Sequence, residues 1–261
     1  MVKAGWKIKK RARRYRIKRK PLFKRAGFWL FLLISAVTLG LFYFVFFSSF
    51  FQIRAIGISG LKKTDPKRIE SLLQAGLERK NIFLVNLKEI KKGVLEEFPR
   101  VEQIKIKRRL PDKISVEIEE RKPVAVFCSS EQENDCFLID REGIAFDRPE
   151  GNFLLIKIIG KKENLSFGKM AVEKKYLDKI LEIQKEMEQK QGIKISSFDL
   201  SAKELVVQTL EGWQVFFDPA GNISEQIFNL SVLLKTKLPP ENRHSLRYID
   251  LRFGNRVFFK E

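Results

Sequence analysis

The sequence predicts an α+β protein: one transmembrane helix, then a β-α-α-β-β module, then a mixed β-sheet domain with two helices. Three observations predict it. Phe28 to Phe51 is a run of 24 residues without a charge. Residues 52–120 change their apolar period from two to three-and-four and back to two. Residues 121–261 alternate short β-branched and aromatic runs with two segments of helical period.

As a helix, 28–51 would be about 36 Å long and would cross a hydrocarbon core of about 30 Å with some tilt. The core of a soluble protein does not tolerate 24 uncharged residues containing eight Phe. A cleaved signal peptide has an apolar region of about 7–15 residues and a small-residue cleavage site. This run is longer and ends in Ser48-Ser49-Phe50-Phe51, so it reads as a retained anchor. Trp29 suits the half-wet interface.

Charge sets the orientation. The 261 residues hold 51 Lys and Arg against 32 Asp and Glu, a net charge of +19. Residues 1–27 carry 13 of the basic residues and no acid; the first acid is Asp65. After the span only Arg54, Lys62, Lys63, Lys67 and Arg68 lie close by. The positive-inside rule puts residues 1–27 in the cytoplasm and 52–261 outside. The tail reads first as a topology determinant attracted to anionic membrane lipid. Nucleic acid or a cytoplasmic partner would use the same electrostatics, and Trp6 and Tyr15 suit bases and headgroups alike.

The first module follows from caps and periods. Gln52–Ser59 reads as a strand ending at Gly60. Asp65 caps a helix with Pro66 at its first position, apolar at Ile69, Leu72 and Leu73 and stopping at Gly76. Asn86, with Glu89 three residues on, forms a capping box for a second helix. That helix carries Leu87, Ile90, Val94 and Phe98 and ends at Pro99. Val101, Ile104 and Ile106 share one strand face, and Ile114, Val116 and Ile118 another, with Leu110-Pro111-Asp112 turning between them. On the outer face Lys105 and Lys107 oppose acids among Glu117 and Glu119, which is an ordinary solvated sheet face.

In the second module Cys136–Asp140 and Ile144–Asp147 flank the turn Arg141-Glu142-Gly143. Val172, Tyr176, Ile180, Ile183 and Met187 mark a helix stopping near Gly192. Phe198–Leu200, Leu205–Thr209 and Trp213–Phe217 read as strands, and Ser224 caps a helix carrying Ile227, Leu230 and Leu234. Cys128 and Cys136 are either bridged across a short hairpin loop, which an extracytoplasmic setting permits, or two free thiols.

Phe253-Gly254-Asn255-Arg256 reads as a tight hairpin turn. A two-residue loop pairs Phe253 with Arg256, Leu251 with Phe258 and Ile249 with Lys260. Ile249, Leu251, Phe253 and Phe258 then form a core face. Tyr248, Asp250, Arg252, Val257 and Phe259 form an open one. The last strand, Arg256–Lys260, has an uncovered edge that a partner strand can pair with by β-augmentation, reading Val257 and Phe259. The candidate partner residues are Tyr248, Arg252, Phe253, Arg256, Val257 and Phe259. The alternative packs Val257 and Phe259 on a neighbouring helix.

No catalytic constellation accompanies these features. His244 is the single histidine, and two cysteines are too few for zinc-finger or iron–sulfur sites. No nucleophile-elbow Ser or phosphate-cradling Gly loop appears. The chain reads as a non-enzymatic interaction protein without cofactor, metal or small-molecule substrate.

The order β-α-α-β-β directly after one membrane span resembles a POTRA domain. Phe51–Gly60 resembles the opening "f.i..i.v.G", and Phe98–Ala125, with Arg109-Leu110-Pro111 and Glu120-Arg121-Lys122-Pro123-Val124-Ala125, resembles "P.v..a.v.r..P..l.i.v.ER.Pva". Residues 138–146 resemble "lid..G.vf", Gly212-Trp213 the "dGw" hairpin, and Tyr248–Phe253 the signature "yiDLRf". These are motifs of the bacterial cell-division family FtsQ, also called DivIB, and the resemblance runs over about residues 28–261. It implies a single-pass, type II scaffold of the divisome at the septum, linking septal peptidoglycan synthesis to the division ring. The implied domains are a tail (1–27), a span (28–51), a POTRA domain (52–120) and a C-terminal β domain (121–261). The C-terminal domain would bind FtsB/DivIC and FtsL, through the same terminal strand for FtsB/DivIC, and the POTRA domain would meet other division proteins. Two rivals are a POTRA-bearing envelope translocation or assembly factor and a membrane-anchored nucleic-acid binder. The first needs a β-barrel that about 140 residues with two helices do not supply.

Overall fold

Helix α1 (Ala26–Phe47) is apolar on every side, and none of its residues is buried by the rest of the chain. At about 1.5 Å per residue its 22 residues make about 33 Å, enough to cross a bilayer. The computed structural model describes residues 26–129, 135–151, 155–162, 164–201, 204–254 and 256–261. The basic tail with Trp6 and Tyr15, most of the Cys128–Cys136 loop, and Asn255 lie outside the described residues.

The helix ends earlier than its apolar run. The Ser48 hydroxyl accepts from the Phe50 N–H (3.1 Å) and starts a 3₁₀ turn over Ser49–Phe51. Gln52 then bridges to Asn81, so β1 is shortened to Ala55–Ser59. Asp65 caps α2 (Pro66–Leu77) through the Lys67 N–H (2.9 Å). The helix does not stop at Gly76. It runs one residue further, and the left-handed position falls on Arg79 (φ 59°). Gly76 serves packing instead: a β-carbon there would collide with the Ile90 side chain of α3 (Leu87–Glu97). Asn86 caps α3 as expected. Glu89, however, takes the Asn86 side-chain amide (2.7 Å) rather than the backbone N–H of a capping box.

Strand β1 pairs in parallel with β3 (Lys113–Glu120), which pairs antiparallel with β2 (Val101–Arg109), in the order β1-β3-β2. Ile114, Val116 and Ile118 are buried against Ile69, Leu73 and Val94. A bulge between Val101 and Gln103 lets Val101 and Ile104, three apart, both point inward. Lys105 opposes Glu117 as expected, but Lys107 opposes Ser115 and Glu119 opposes Gln103. The Glu120 carboxylate accepts from the N–H groups of Lys62, Lys63 and Thr64 (2.9–3.1 Å), tying the loop after β1 to the end of β3.

The rest forms one mixed nine-stranded sheet: β4 (Ala125–Cys128), β5 (Cys136–Ile139), β6 (Ala145–Asp147), β7 (Ile156–Gly160), β8 (Ile195–Leu200), β9 (Leu205–Thr209), β10 (Gln214–Phe217), β11 (Tyr248–Phe253) and β12 (Arg256–Lys260). Their spatial order is β12-β11-β10-β9-β8-β7-β4-β5-β6. Helix α4 (Lys174–Gln184), continued by a π segment over Lys185–Lys190, crosses from β7 to β8, and α5 (Ile223–Thr236) crosses from β10 to β11. The parallel pairs β7–β8 and β10–β11 require such crossovers. Leu177, Ile180 and Ile183 of α4 and Ile227, Leu230 and Leu234 of α5 bury one sheet face, where Trp213, Phe198 and Phe217 are fully enclosed. The cap of α5 is Asn222, through the Glu225 N–H. Ser224 sits in the first turn, and its hydroxyl donates to Glu182 of α4 (2.7 Å).

Cys128 and Cys136 are directly opposite in the β4–β5 ladder and are joined by a disulfide. Arg121 ties the two sheets together. Its Nε donates to the Pro99 carbonyl (3.0 Å), and its Nη1 pairs with the buried Asp140 carboxylate; Arg100 pairs with Asp147 beside it.

Candidate partner-binding edge

Strand β12 is the last strand of the sheet, and only β11 pairs with it among the described residues. The Arg247 N–H donates to the Lys260 carbonyl (2.8 Å), so the backbone of Lys260 faces β11. Alternation along an antiparallel strand then turns the N–H and C=O of Phe259 and Val257 to the open side.

The register differs from the sequence-based expectation by one residue. Phe253 does oppose Arg256, but Asp250 opposes Phe258, Ile249 opposes Phe259, and Tyr248 opposes Lys260. A β-bulge lies between Asp250 and Phe253, where two residues of β11 face one of β12. The slip exchanges the faces of β12, because side chains alternate with a period of two. Val257 packs against the helix-covered core, and Phe259 lies on the same side, beside Ile249. Phe258, expected in the core, is 50% exposed on the opposite face, and Phe253 is 58% exposed. Ile249 and Leu251 are buried, as read from the sequence, and Arg256 is exposed.

The outer face gathers an aromatic–arginine cluster. The Phe216 and Tyr248 rings meet edge-on (5.8 Å between centroids), as do Phe253 and Phe258 (5.3 Å). The Arg252 guanidinium stands over Phe216 at 5.0 Å and Phe253 at 6.0 Å. It donates to Asp250 from Nε (2.9 Å) and Nη2 (2.6 Å), and to Glu204 from Nη1 (2.6 Å). So Tyr248 and Arg252 share the outer face, as read, and Phe253, read as core, joins them there. Val257 and Phe259 instead flank the strand on the side of α5, which packs on β11 and β12.

Two aromatic residues of this outer face were not read as part of it in the sequence, Phe216 and Phe258. Phe216 is the outward member of a strand whose Val215 and Phe217 are buried, so strict alternation marks it. Phe258 was hidden by the bulge. The edge thus offers unpaired backbone groups with apolar side chains on both flanks.

Burial pushes the Asp250 carboxyl up, but the Arg252 hydrogen bonds pull it down by more, so it lies below its ordinary value. A lowered folded value means stability that is present above the unfolded value near ~4 and is lost as pH falls through the folded one. Asp250→Asn is therefore expected to lower the melting temperature at pH 7 and to flatten its decline in acid. Melting curves from pH 7 to pH 2 check this, and an unchanged acid limb contradicts it.

Chemistry at other places is sparse. His244 is exposed, and among the described residues no group of three or more His, Cys, Asp and Glu is placed to hold a metal. An open cleft of about 650 Å³ lies at the joint between the sheets, with Lys62, Lys63, Arg100, Lys105 and Lys122 on its walls.

Residues 51–121 match the family model described as POTRA domain, FtsQ-type. The cell division protein FtsQ of Rickettsia typhi is 28% identical over 128 residues, covering 48% of this chain and 46% of that protein. The cell division protein DivIB of Clostridium tetani is 29% identical over 127 residues, covering 48% and 46%. FtsQ of Koribacter versatilis is 29% identical over 184 residues, covering 68% of this chain and 51% of that protein. The chain spans about half the length of the curated relatives it matches. The matched domain lies directly after the one candidate transmembrane helix among the described residues and is followed by the mixed sheet; residues 51–121 are thus an FtsQ-type POTRA domain in a chain similar to the FtsQ and DivIB cell-division proteins.

Proposed function

We propose that this chain is a non-enzymatic, single-pass scaffold of the divisome whose β12 edge receives a strand from a coiled-coil partner of the FtsB/DivIC type. FtsL would assemble with that partner, and the POTRA domain would meet other division proteins. The anchor is α1, with the basic tail in the cytoplasm on anionic lipid, residues 52–120 and 121–261 outside as the two domains, and enrichment at the septum. The observation that carries the reading is the open edge itself: outward N–H groups at Val257 and Phe259, with Phe253 and Phe258 exposed on one face and the Val257 and Phe259 side chains on the other. A strand added there gains main-chain hydrogen bonds for affinity and side-chain pockets on alternate faces for specificity. The enveloping of Arg252 by Asp250 and Glu204 holds the outer aromatic face in place before the partner arrives.

The test separates edge pairing from side-chain packing. Phe259→Pro removes an outward donor without touching the β11–β12 ladder, a substitution edge strands accept. It is expected to abolish capture of FtsB/DivIC by the full chain while moving the melting temperature by only a few degrees. Phe258→Pro removes a ladder donor instead and is expected to destabilise the hairpin. Undiminished capture by Phe259→Pro would place the partner elsewhere.

A further inference from the structure

The end of α1 is not followed by a free linker. The Asn81 side-chain amide donates to the carbonyls of Val45 (2.8 Å) and Phe46 (3.0 Å), two of the last acceptors of the helix, which lack partners of their own. The backbone then pairs with the α2–α3 loop. Ile82 N–H donates to Phe51 (2.9 Å), Ile53 N–H to Lys80 (3.0 Å), and Arg79 N–H to Ile53 (3.2 Å). The Phe83 ring meets Phe46 of the helix (6.5 Å) and Phe51 (5.3 Å). The loop after α2 is therefore held against the last turn of the span.

The same end of the small sheet carries a second projecting segment. The Asp112 carbonyl accepts from the Arg54 N–H (2.9 Å), so the β2–β3 hairpin tip stands beside the start of β1. Arg108 donates to the carbonyls of Ile82 (2.6 Å) and Val85 (3.1 Å), which clamps that hairpin to the α2–α3 loop. At the tips of these segments Phe50, Phe83, Leu84 and Leu110 are 52%, 40%, 65% and 60% exposed. Exposed basic residues accompany them: Arg79 and Lys80 on the loop, and Lys107, Arg109 and Lys113 on the hairpin, against Glu78 and Asp112.

Isolated exposed apolar residues need no explanation. Here four stand at one end of a domain, continuous with a helix that is itself apolar all round, and a basic rim surrounds them. That pattern fits the boundary between acyl chains and phosphate headgroups: apolar tips enter the boundary, and cations remain at phosphate level. A protein partner would not need to lie level with the end of the span. A lipid surface must, because the bilayer ends where α1 ends.

We infer that this end of the POTRA domain is seated in the outer headgroup layer of the membrane through Phe50, Phe83, Leu84 and Leu110, so that Asn81 and the membrane together fix the domain's orientation. The inference rests on the proposal that α1 spans the bilayer.

The test uses the full chain in vesicles of phosphatidylethanolamine and phosphatidylglycerol, with single spin labels at Leu84→Cys, Leu110→Cys, Lys62→Cys and Leu39→Cys. The native cysteines are bridged and do not label without reductant. Collision with oxygen, which partitions into lipid, is compared with collision with a water-soluble nickel chelate. Labels at Leu84 and Leu110 are expected to favour oxygen severalfold over the label at Lys62, at the far end of the domain. Leu39, at mid-span, is expected to favour it most. A lipid signature at Leu39 with water signatures at Leu84 and Leu110 overturns the seating alone. A water signature at Leu39 overturns the spanning helix and the seating with it.

Discussion

Asp140→Ala is expected to cost about 3–5 kcal/mol, the range for stranding one partner of a buried ion pair. Asp140 is 3% exposed and does three jobs. Its Oδ1 accepts from the N–H groups of Glu142 (3.0 Å) and Ile144 (2.9 Å), which closes the β5–β6 turn. Its Oδ2 pairs with Arg121, whose Nε is committed to Pro99 in the turn before β2. Removing the carboxylate leaves a mostly buried guanidinium without its counter-ion and two turn donors without an acceptor. For a chain of this size the melting temperature should fall by about 10 °C. Asp140→Asn keeps an acceptor for the turn and should fall by less. Thermal unfolding of the two variants in detergent checks the order, and equal losses would mean that the ion pair with Arg121 alone matters.

Gly60→Ala is expected to cost about 3 kcal/mol or more, well above Gly254→Ala. Both glycines have positive φ, +91° and +63°, so each alanine incurs a backbone penalty of about 1 kcal/mol or more. Space separates them. A β-carbon on Gly60 would be driven into the Ile118 carbonyl of β3, whereas one on Gly254 meets nothing within 4 Å. Relief at Gly60 requires the β1–β3 ladder to shift, and that ladder carries the buried Val116 and Ile118. Denaturant titration of the two variants gives the comparison directly, and equal midpoints would show that the ladder yields freely.

Legible in the sequence is whatever a residue declares locally. Asp65 and Asn86 announce helix starts, because short side-chain acceptors reach backbone donors two residues on. The buried faces of β3 and α5 follow from apolar period alone; of the face read for α4, Ile180 and Ile183 are buried within it, Val172 lies before the helix, and Leu177 was missed. Bulges are different: an extra residue in one strand is a property of the pair, and neither β2 nor β11 marks its own. For β12 that single residue reassigned Val257, Phe258 and Phe259 at once, while the edge position of the strand stayed as read. Gly76 was read as a stop, yet it is small because Ile90 lies against it, a contact distant along the chain. Asn222 rather than Ser224 caps α5 because its side chain reaches Glu225, and spacing alone does not separate two such candidates.

The strand order has a consequence for distance. The joint held by Arg121 and Asp140 lies at the β5–β6 end of the nine-stranded sheet, and the open strand β12 lies at the other. Eight inter-strand steps of about 4.8 Å put the two roughly 38 Å apart across the sheet. A hydrogen-bonded ladder does not stretch, so this separation is set by the number of strands rather than by any flexible segment. Whatever docks at β12 is held at a constant reach from that joint.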